Sequence, residues 1–130
     1  MNAVKFLEHK AVLRLHCQVI DEFGGIHGLR DSKLLDSALA QPQITIFSEY
    51  AYKDIFEMAT AYCYHLIKNH PFIDGNKRIG LLTALTFLEL NGIIIDAPFD
   101  ELYDMTMKIA DSKITKEKIT QFFKKHSKKL

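Results

Sequence analysis

The chain reads as an all-α protein, a compact bundle of about six helices with one short extended flap. Apolar residues recur at helical spacing through most of its length. The stretches so defined are bounded by glycine, proline and helix-capping residues. No internal repeat, linker or low-complexity segment interrupts them, and Gln43–Lys53 lacks the helical rhythm.

The first helix is expected over Glu8–Phe23, where Leu13, His16, Ile20 and Phe23 share a face and Gly24-Gly25 supplies the stop. His16 lies on that apolar stripe and is read as a buried, hydrogen-bonded histidine. Asp31 is placed to cap a helix over Ser32–Ala40, bounded by Pro42. Arg30 is read first as the ion-pair partner of a nearby acid such as Asp31 or Asp36, with a phosphate contact as the alternative. Ile44-Thr45-Ile46-Phe47 is the extended piece. Asp54 opens the next helix, which is apolar nearly all round and therefore central. A second central helix runs over Asn76–Asn91, with Gly92 as its left-handed terminator. Ile93-Ile94-Ile95 reads as a short buried extended connection. Pro98 precedes another helix with Asp100 and Glu101 in its first turn, where the helix dipole favours negative charge. The last helix starts at a Thr115 cap, with Ile114 and Ile119 as a hydrophobic staple. The lysine-rich end after it reads as a solvated tail.

Length and composition bound the function. A chain of 130 residues suits one domain, 1–130, large enough to bury a core. With 48% hydrophobic residues it is not disordered, and a net charge of +1 provides no field that would gather nucleic acid or anionic lipid. Met1–Lys10 lacks the apolar run of a signal peptide, and no apolar run approaches a membrane span. Cys17 and Cys63 have neither metal nor redox spacing, which fits a reducing, cytoplasmic location.

The chemistry is concentrated in one loop. His70-Pro71-Phe72-Ile73-Asp74-Gly75-Asn76-Lys77-Arg78-Ile79-Gly80 joins the two central helices. Pro71 ends the first at about Asn69 or His70. Gly75 permits a tight turn, and the second helix then starts near Asn76 with its first N–H groups free for an anion. Lys77 and Arg78 add a point charge and a planar fork at the same place, which suits phosphate. Asp74 is a hard oxygen ligand of the kind Mg²⁺ uses beside phosphates. His70 is the group that can exchange a proton near neutral pH.

This segment resembles the signature of the Fic/Doc family, His-x-Phe-x-Asp/Glu-Gly/Ala-Asn followed by Gly-Arg or Lys-Arg. His70, Phe72, Asp74, Gly75, Asn76 and Arg78 match it, and Lys77 is the lysine of the Doc (death-on-curing) branch, where adenylyltransferases of the Fic branch have glycine. Further segments in matching order extend the likeness over nearly the whole chain: Phe23-Gly24-Gly25, Gly28-Leu29-Arg30-Asp31, Ser37–Pro42 and Leu88–Gly92.

The resemblance implies a Fic/Doc fold and a type II toxin–antitoxin toxin acting as a protein kinase. With Mg²⁺ held by Asp74, the γ-phosphate of ATP would pass to a Ser or Thr hydroxyl of a translation factor. Elongation factor Tu is the leading candidate, and translation would arrest. In that scheme His70 is the base, and Lys77 and Arg78 stabilise charge. Gly75 and Asn76, the latter with its side chain, cradle the phosphate, while Phe72 points into the core. Ile44, Thr45, Ile46 and Phe47 form the flap that docks the target. The family's inhibitory motif, Ser/Thr-x-x-x-Glu-Gly/Asn, is read as absent: Thr45 and Glu49 have its spacing, but Tyr50 follows. Restraint is then expected from a separate antitoxin with a disordered inhibitory segment. The alternatives are transfer of AMP to a protein hydroxyl and a non-catalytic module that binds a phosphorylated partner.

Overall fold

The computed structural model describes residues 3–130; Met1 and Asn2, at the head of the stretch expected to lack a leader, lie outside the described residues. Six α-helices make the body: α1 (His9–Phe23), α2 (Ser32–Ala40), α3 (Ile55–Asn69), α4 (Asn76–Leu90), α5 (Phe99–Ala110) and α6 (Lys116–Lys125). The all-α reading holds. Among the described residues the strands are short and form two antiparallel pairs, β1 (Thr45–Ile46) with β2 (Glu49–Tyr50), and β3 (Ile93–Ile95) with β4 (Ser127–Lys129). No helix among the described residues is long and apolar enough to cross a membrane.

The expected caps form. Asp31, Asp54 and Thr115 each accept a hydrogen bond from a backbone N–H in the first turn of α2, α3 and α6. The helix C-termini at Gly24 and Gly92 turn through left-handed backbone, φ 85° and 88°.

Helix α3 is the hub, buried continuously from Met58 to Cys63 and again at Leu66 and Ile67. It lies against α4, with α2 and α6 on its other sides, while α1 and α5 pack on α4. Gly80 sets the α3–α4 approach. A Cβ there would lie 2.8 Å from Ile67 Cγ1 and 3.1 Å from the Cys63 carbonyl oxygen, so only hydrogen fits. Tyr62 of α3 packs on Phe87 of α4, ring centroids 5.0 Å apart. Its hydroxyl accepts from the Leu7 N–H at 3.0 Å and donates to the Leu7 carbonyl at 3.2 Å, anchoring the segment before α1. Burial pushes the Tyr62 phenol up to about 12, so it acts as a neutral tie. Thr60 and Thr120 share a 2.7 Å hydrogen bond between α3 and α6.

Two sequence expectations are corrected. Ile93–Ile95 is only half covered, because its partner is the chain's lysine-rich end: Ile93, Ile94 and Ile95 pair with Lys129, Lys128 and Ser127. The tail is therefore an edge strand by its backbone, and its lysines stay in solvent as edge strands favour. Lys128 also pairs with Asp96 at 2.6 Å; this hydrogen-bonded contact lowers the Asp96 pKa and raises that of Lys128. The extended flap is a hairpin rather than a single piece. Only Thr45 and Ile46 of the expected four residues are strand; Ile44 precedes it and Phe47 lies in the turn.

Candidate active site at the joint of the two central helices

Helix α3 stops where Pro71 requires. His70 is the residue after its last turn and takes the left-handed conformation, φ 51° and ψ 54°. A histidine holds that backbone only under outside support. Arg30 supplies it: Nε donates to the His70 carbonyl at 2.7 Å and Nη2 to the Asn69 carbonyl at 3.1 Å. A cation at a helix C-terminus satisfies carbonyls that have no partner within the helix and complements its dipole. The expected Arg30 ion pair is thereby corrected. Asp31 is occupied as the α2 cap, and Asp36 pairs with His9 at 2.7 Å.

The loop that follows is fastened to the α1–α2 connection by its backbone. The Pro71 carbonyl accepts from the N–H groups of Arg30 (2.7 Å) and Asp31 (2.9 Å), and the Ile73 N–H donates to the Gly28 carbonyl (3.0 Å). Phe72 is buried, as expected, and stacks on His16 with centroids 3.8 Å apart and planes at 9°. His16 Nε2 donates to the Asp74 carbonyl at 2.8 Å. Burial lowers the His16 pKa more than that hydrogen bond restores it, so the neutral ring is the folded form. His16 is thus the buried, hydrogen-bonded histidine foreseen, and it supports the site loop from beneath.

Asn76 departs from its expected role. Its buried side-chain amide is consumed within the loop: Oδ1 accepts from the Phe72 N–H at 3.0 Å and Nδ2 donates to the Phe72 carbonyl at 2.9 Å. Both partners are backbone groups four residues upstream, so the side chain staples the turn, and only the second Nδ2 proton is left beyond that staple. What faces outward is the start of α4. Gly75, left-handed at φ 79°, precedes Asn76, and no side chain caps the helix. Its first N–H groups and the positive end of its dipole are therefore left open at the cavity, where an anion could be held.

Asp74 is exposed, with its carboxylate fixed on both oxygens: Oδ1 accepts from the Gly75 N–H at 2.8 Å and Oδ2 from the Ile26 N–H at 3.1 Å. A Cβ on Gly25 would meet Asp74 Oδ2 at 2.7 Å, so the second glycine of the α1 terminator clears the space in which that carboxylate stands. One hard carboxylate beside a helix N-terminus suits Mg²⁺, which takes its other ligands from phosphate and water.

His70, Asp74, Gly75, Asn76, Lys77 and Arg78 all line one cavity of about 280 Å³. His70 is exposed and Lys77 and Arg78 are half-buried, so the imidazole is not turned into the core. The Arg78 guanidinium lies over the Phe23 ring at 4.2 Å, with the Tyr103 ring at 5.6 Å. These two aromatics steady the cation by its faces and leave its edge donors available. His65 does not join the site: its Nε2 accepts from Lys116 Nζ at 3.0 Å, and burial, then the lysine charge, lowers its pKa to about 4.

The supports that sequence reasoning missed are Arg30, Phe23, Tyr103 and Gly25, together with the specific contact made by His16. Arg30, Phe23 and Gly25 lie in segments that carried the family likeness, but no spacing rule connects them to the loop.

The joint defines a class: a helical domain whose two central helices break around a carboxylate, a histidine and two cations that share one cavity. The Fic/DOC family model matches residues 6–88, and the chain belongs to the Fic/Doc family, in its Doc branch. It is 30% identical over 113 residues to "Protein kinase doc" of Escherichia phage P1, covering 86% of this chain and 87% of that one. It is 44% identical over 78 residues to "Toxin Doc" of Mycolicibacterium smegmatis, covering 60% of each.

Proposed function

We propose that this protein is the toxin of a toxin–antitoxin module and acts as a protein kinase. It would transfer the γ-phosphate of ATP to a Ser or Thr hydroxyl of a translation factor, with elongation factor Tu first among the targets. The observation that carries the reading is the shared cavity: an exposed histidine, a fixed carboxylate, an uncapped helix start and two cations border one space. The names of the two relatives, one a protein kinase and the other a toxin, support the same direction.

His70 takes the proton of the acceptor hydroxyl as its oxygen bonds to the γ-phosphorus. The bond from that phosphorus to the β–γ bridging oxygen breaks, and ADP leaves with its electron pair. The α4 N–H groups, Lys77 and Arg78 hold the non-bridging oxygens, where charge is greatest. Asp74 would hold Mg²⁺, which when bound neutralises phosphate charge. Lys77 fills space that a glycine would leave for a second phosphate against the backbone, which favours presenting the terminal phosphate over AMP.

The exposed hairpin Ile44–Tyr50 would dock the target by strand addition, and an antitoxin with a disordered segment would restrain the enzyme. Incubation with Mg²⁺, ATP and elongation factor Tu, followed by intact mass, tests the reading. A gain of about 80 Da marks phosphorylation and about 329 Da marks AMP transfer, which would overturn the kinase assignment. An unchanged mass, with a full set of translation factors tried, would overturn the choice of target class.

A further inference from the structure

The geometry points to a second ion site, for a borderline-soft divalent cation such as Zn²⁺, formed by Cys17, Asp21 and His27. Cys17 and Asp21 stand one turn apart on α1, and His27 returns to them after the Gly24-Gly25 turn. One ligand atom from each lies within 4.8 Å of the other two, and all three residues are exposed. His27 Nε2 is 2.8 Å from Asp21 Oδ1, and Cys17 Sγ is 3.9 Å from Asp21 Oδ2. A tetrahedral zinc centre with ordinary bond lengths separates such donors by about 3.3–3.7 Å. The short contact would open by less than about 1 Å, and donors that stand up to 4.8 Å apart would close by about 1 Å, within the freedom of exposed side chains.

The donor set selects the ion. Thiolate and imidazole favour zinc over magnesium, so this site and Asp74 would not compete for one metal. Three protein ligands leave the fourth position to water or an outside ligand. Without an ion, Asp21 bridges the other two, pairing with His27 and accepting a weak, long hydrogen bond from the Cys17 thiol; a bound cation would draw all three donors to one centre.

The site is also braced by its backbone. The Gly24 N–H donates to the Ile20 carbonyl at 2.8 Å, closing α1, and the Ile26 N–H is held by Asp74. His27 therefore projects from a turn already fixed at both ends. Zinc would join that turn to α1 and stabilise the backbone that positions Asp74. The assignment stands apart from the kinase reading, because its test needs no ATP and no target.

The test uses the full-length chain, untagged and reduced. Titration with ZnCl₂ against a chromophoric chelator should give one equivalent bound. Co²⁺ should produce a near-ultraviolet thiolate charge-transfer band and visible bands of a tetrahedral centre. Cys17→Ser should abolish the charge-transfer band, and Cys17→Ser and His27→Gln should each weaken Zn²⁺ binding at least about tenfold. Circular dichroism checks that both variants fold, as substitutions at exposed positions should. A Co²⁺ complex without the thiolate band, or Zn²⁺ binding unchanged in Cys17→Ser, would overturn the site. So would binding that survives in both variants and is lost in Asp74→Asn, since the ion would then sit at the other carboxylate.

Discussion

The loop His70–Gly75 and the hairpin Thr45–Tyr50 are both short, irregular stretches that carry function in the proposed reading, and they are built in opposite ways. The loop is held by Arg30 on its entering carbonyls, by the Asn76 staple within it and by His16 beneath it. Backbone hydrogen bonds to residues 28–31 complete the attachment. The hairpin has two facing pairs and a turn in which Phe47 and Ser48 both have positive φ, 52° and 67°. Phe47 at its tip is 98% exposed. A two-residue turn of this hand matches the twist of a hairpin, but it favours Asn-Gly over a bulky aromatic. In the proposed reading the difference matches the two tasks. Phosphoryl transfer tolerates little misplacement, so its groups sit on a braced loop. Strand addition needs unpaired edges and an accessible side chain, so the element is left open.

The largest expected effect comes from removing the base. His70→Ala should lower kcat by about 10²–10⁴ while changing stability by less than about 1 kcal/mol, because the side chain is exposed. Phosphate transfer and thermal unfolding, measured on the same preparation, check both halves. Wild-type activity in this variant would end the assignment of the proton acceptor.

Asn76→Ala tests the bracing. It strands a buried N–H and a buried carbonyl of Phe72 and should cost about 2–4 kcal/mol, with kcat falling as the loop loosens. Asn76→Asp sharpens the point. The carboxylate can still accept from the Phe72 N–H but sets oxygen against the Phe72 carbonyl, so it should destabilise too. Were the amide instead an anion ligand, both variants would keep wild-type stability and change only the KM for ATP.

How far these features were legible depends on the range of the interaction. Pro71, Gly92 and the caps Asp31, Asp54 and Thr115 act within a turn of themselves, and each helix end falls where they place it. The chemical residues of the loop lie within nine positions of one another, so the cavity they line was legible as well. Arg30 finds its carbonyl forty residues away and His16 finds Asp74 fifty-eight away, and no periodicity encodes such pairs. Strand β4 escaped because Ser127–Lys129 has no alternating apolar face; its partner strand and Asp96 make it a strand. Asn76 is a different case. Its contact is local, but the family likeness suggested a phosphate, and an amide four residues after a buried phenylalanine can equally turn back on the backbone.

Acid should loosen the helical body that carries the braced loop. His65, between α3 and Lys116, has a pKa of about 4, below the ordinary histidine value, chiefly through burial. His16 is shifted in the same direction, again chiefly by burial. From about pH 6.5 down to about pH 4 the unfolded chain takes up a proton on His65 that the folded chain refuses. The His65 contribution therefore falls across that window and is fully lost below it, and His16 adds to the decline in the same direction. For half-buried His65 the loss is about 1–2 kcal/mol after discounting for solvent screening. Urea unfolding from pH 7 to pH 4 should show the decline, and His65→Gln should flatten part of it. A slope unchanged in that variant would assign the effect elsewhere.

A stability change as small as that of His70→Ala is expected at the tip of the hairpin, where it separates recognition from chemistry. Phe47→Gly relieves a left-handed backbone that costs an L side chain about 1–2 kcal/mol, but it also gives the unfolded chain more freedom. The two nearly cancel, so stability should move by no more than about 1 kcal/mol in either direction. Since Phe47 is almost fully in solvent, no core packing is lost. Its aromatic surface is available only to a partner, so the KM for the protein target should rise while kcat at saturating target stays near wild type. That pattern is the reverse of the one expected for Asn76→Ala. A drop in kcat at Phe47→Gly would mean that the flap helps to order the acceptor hydroxyl at His70, and the division between a braced catalytic loop and an open docking hairpin would fail.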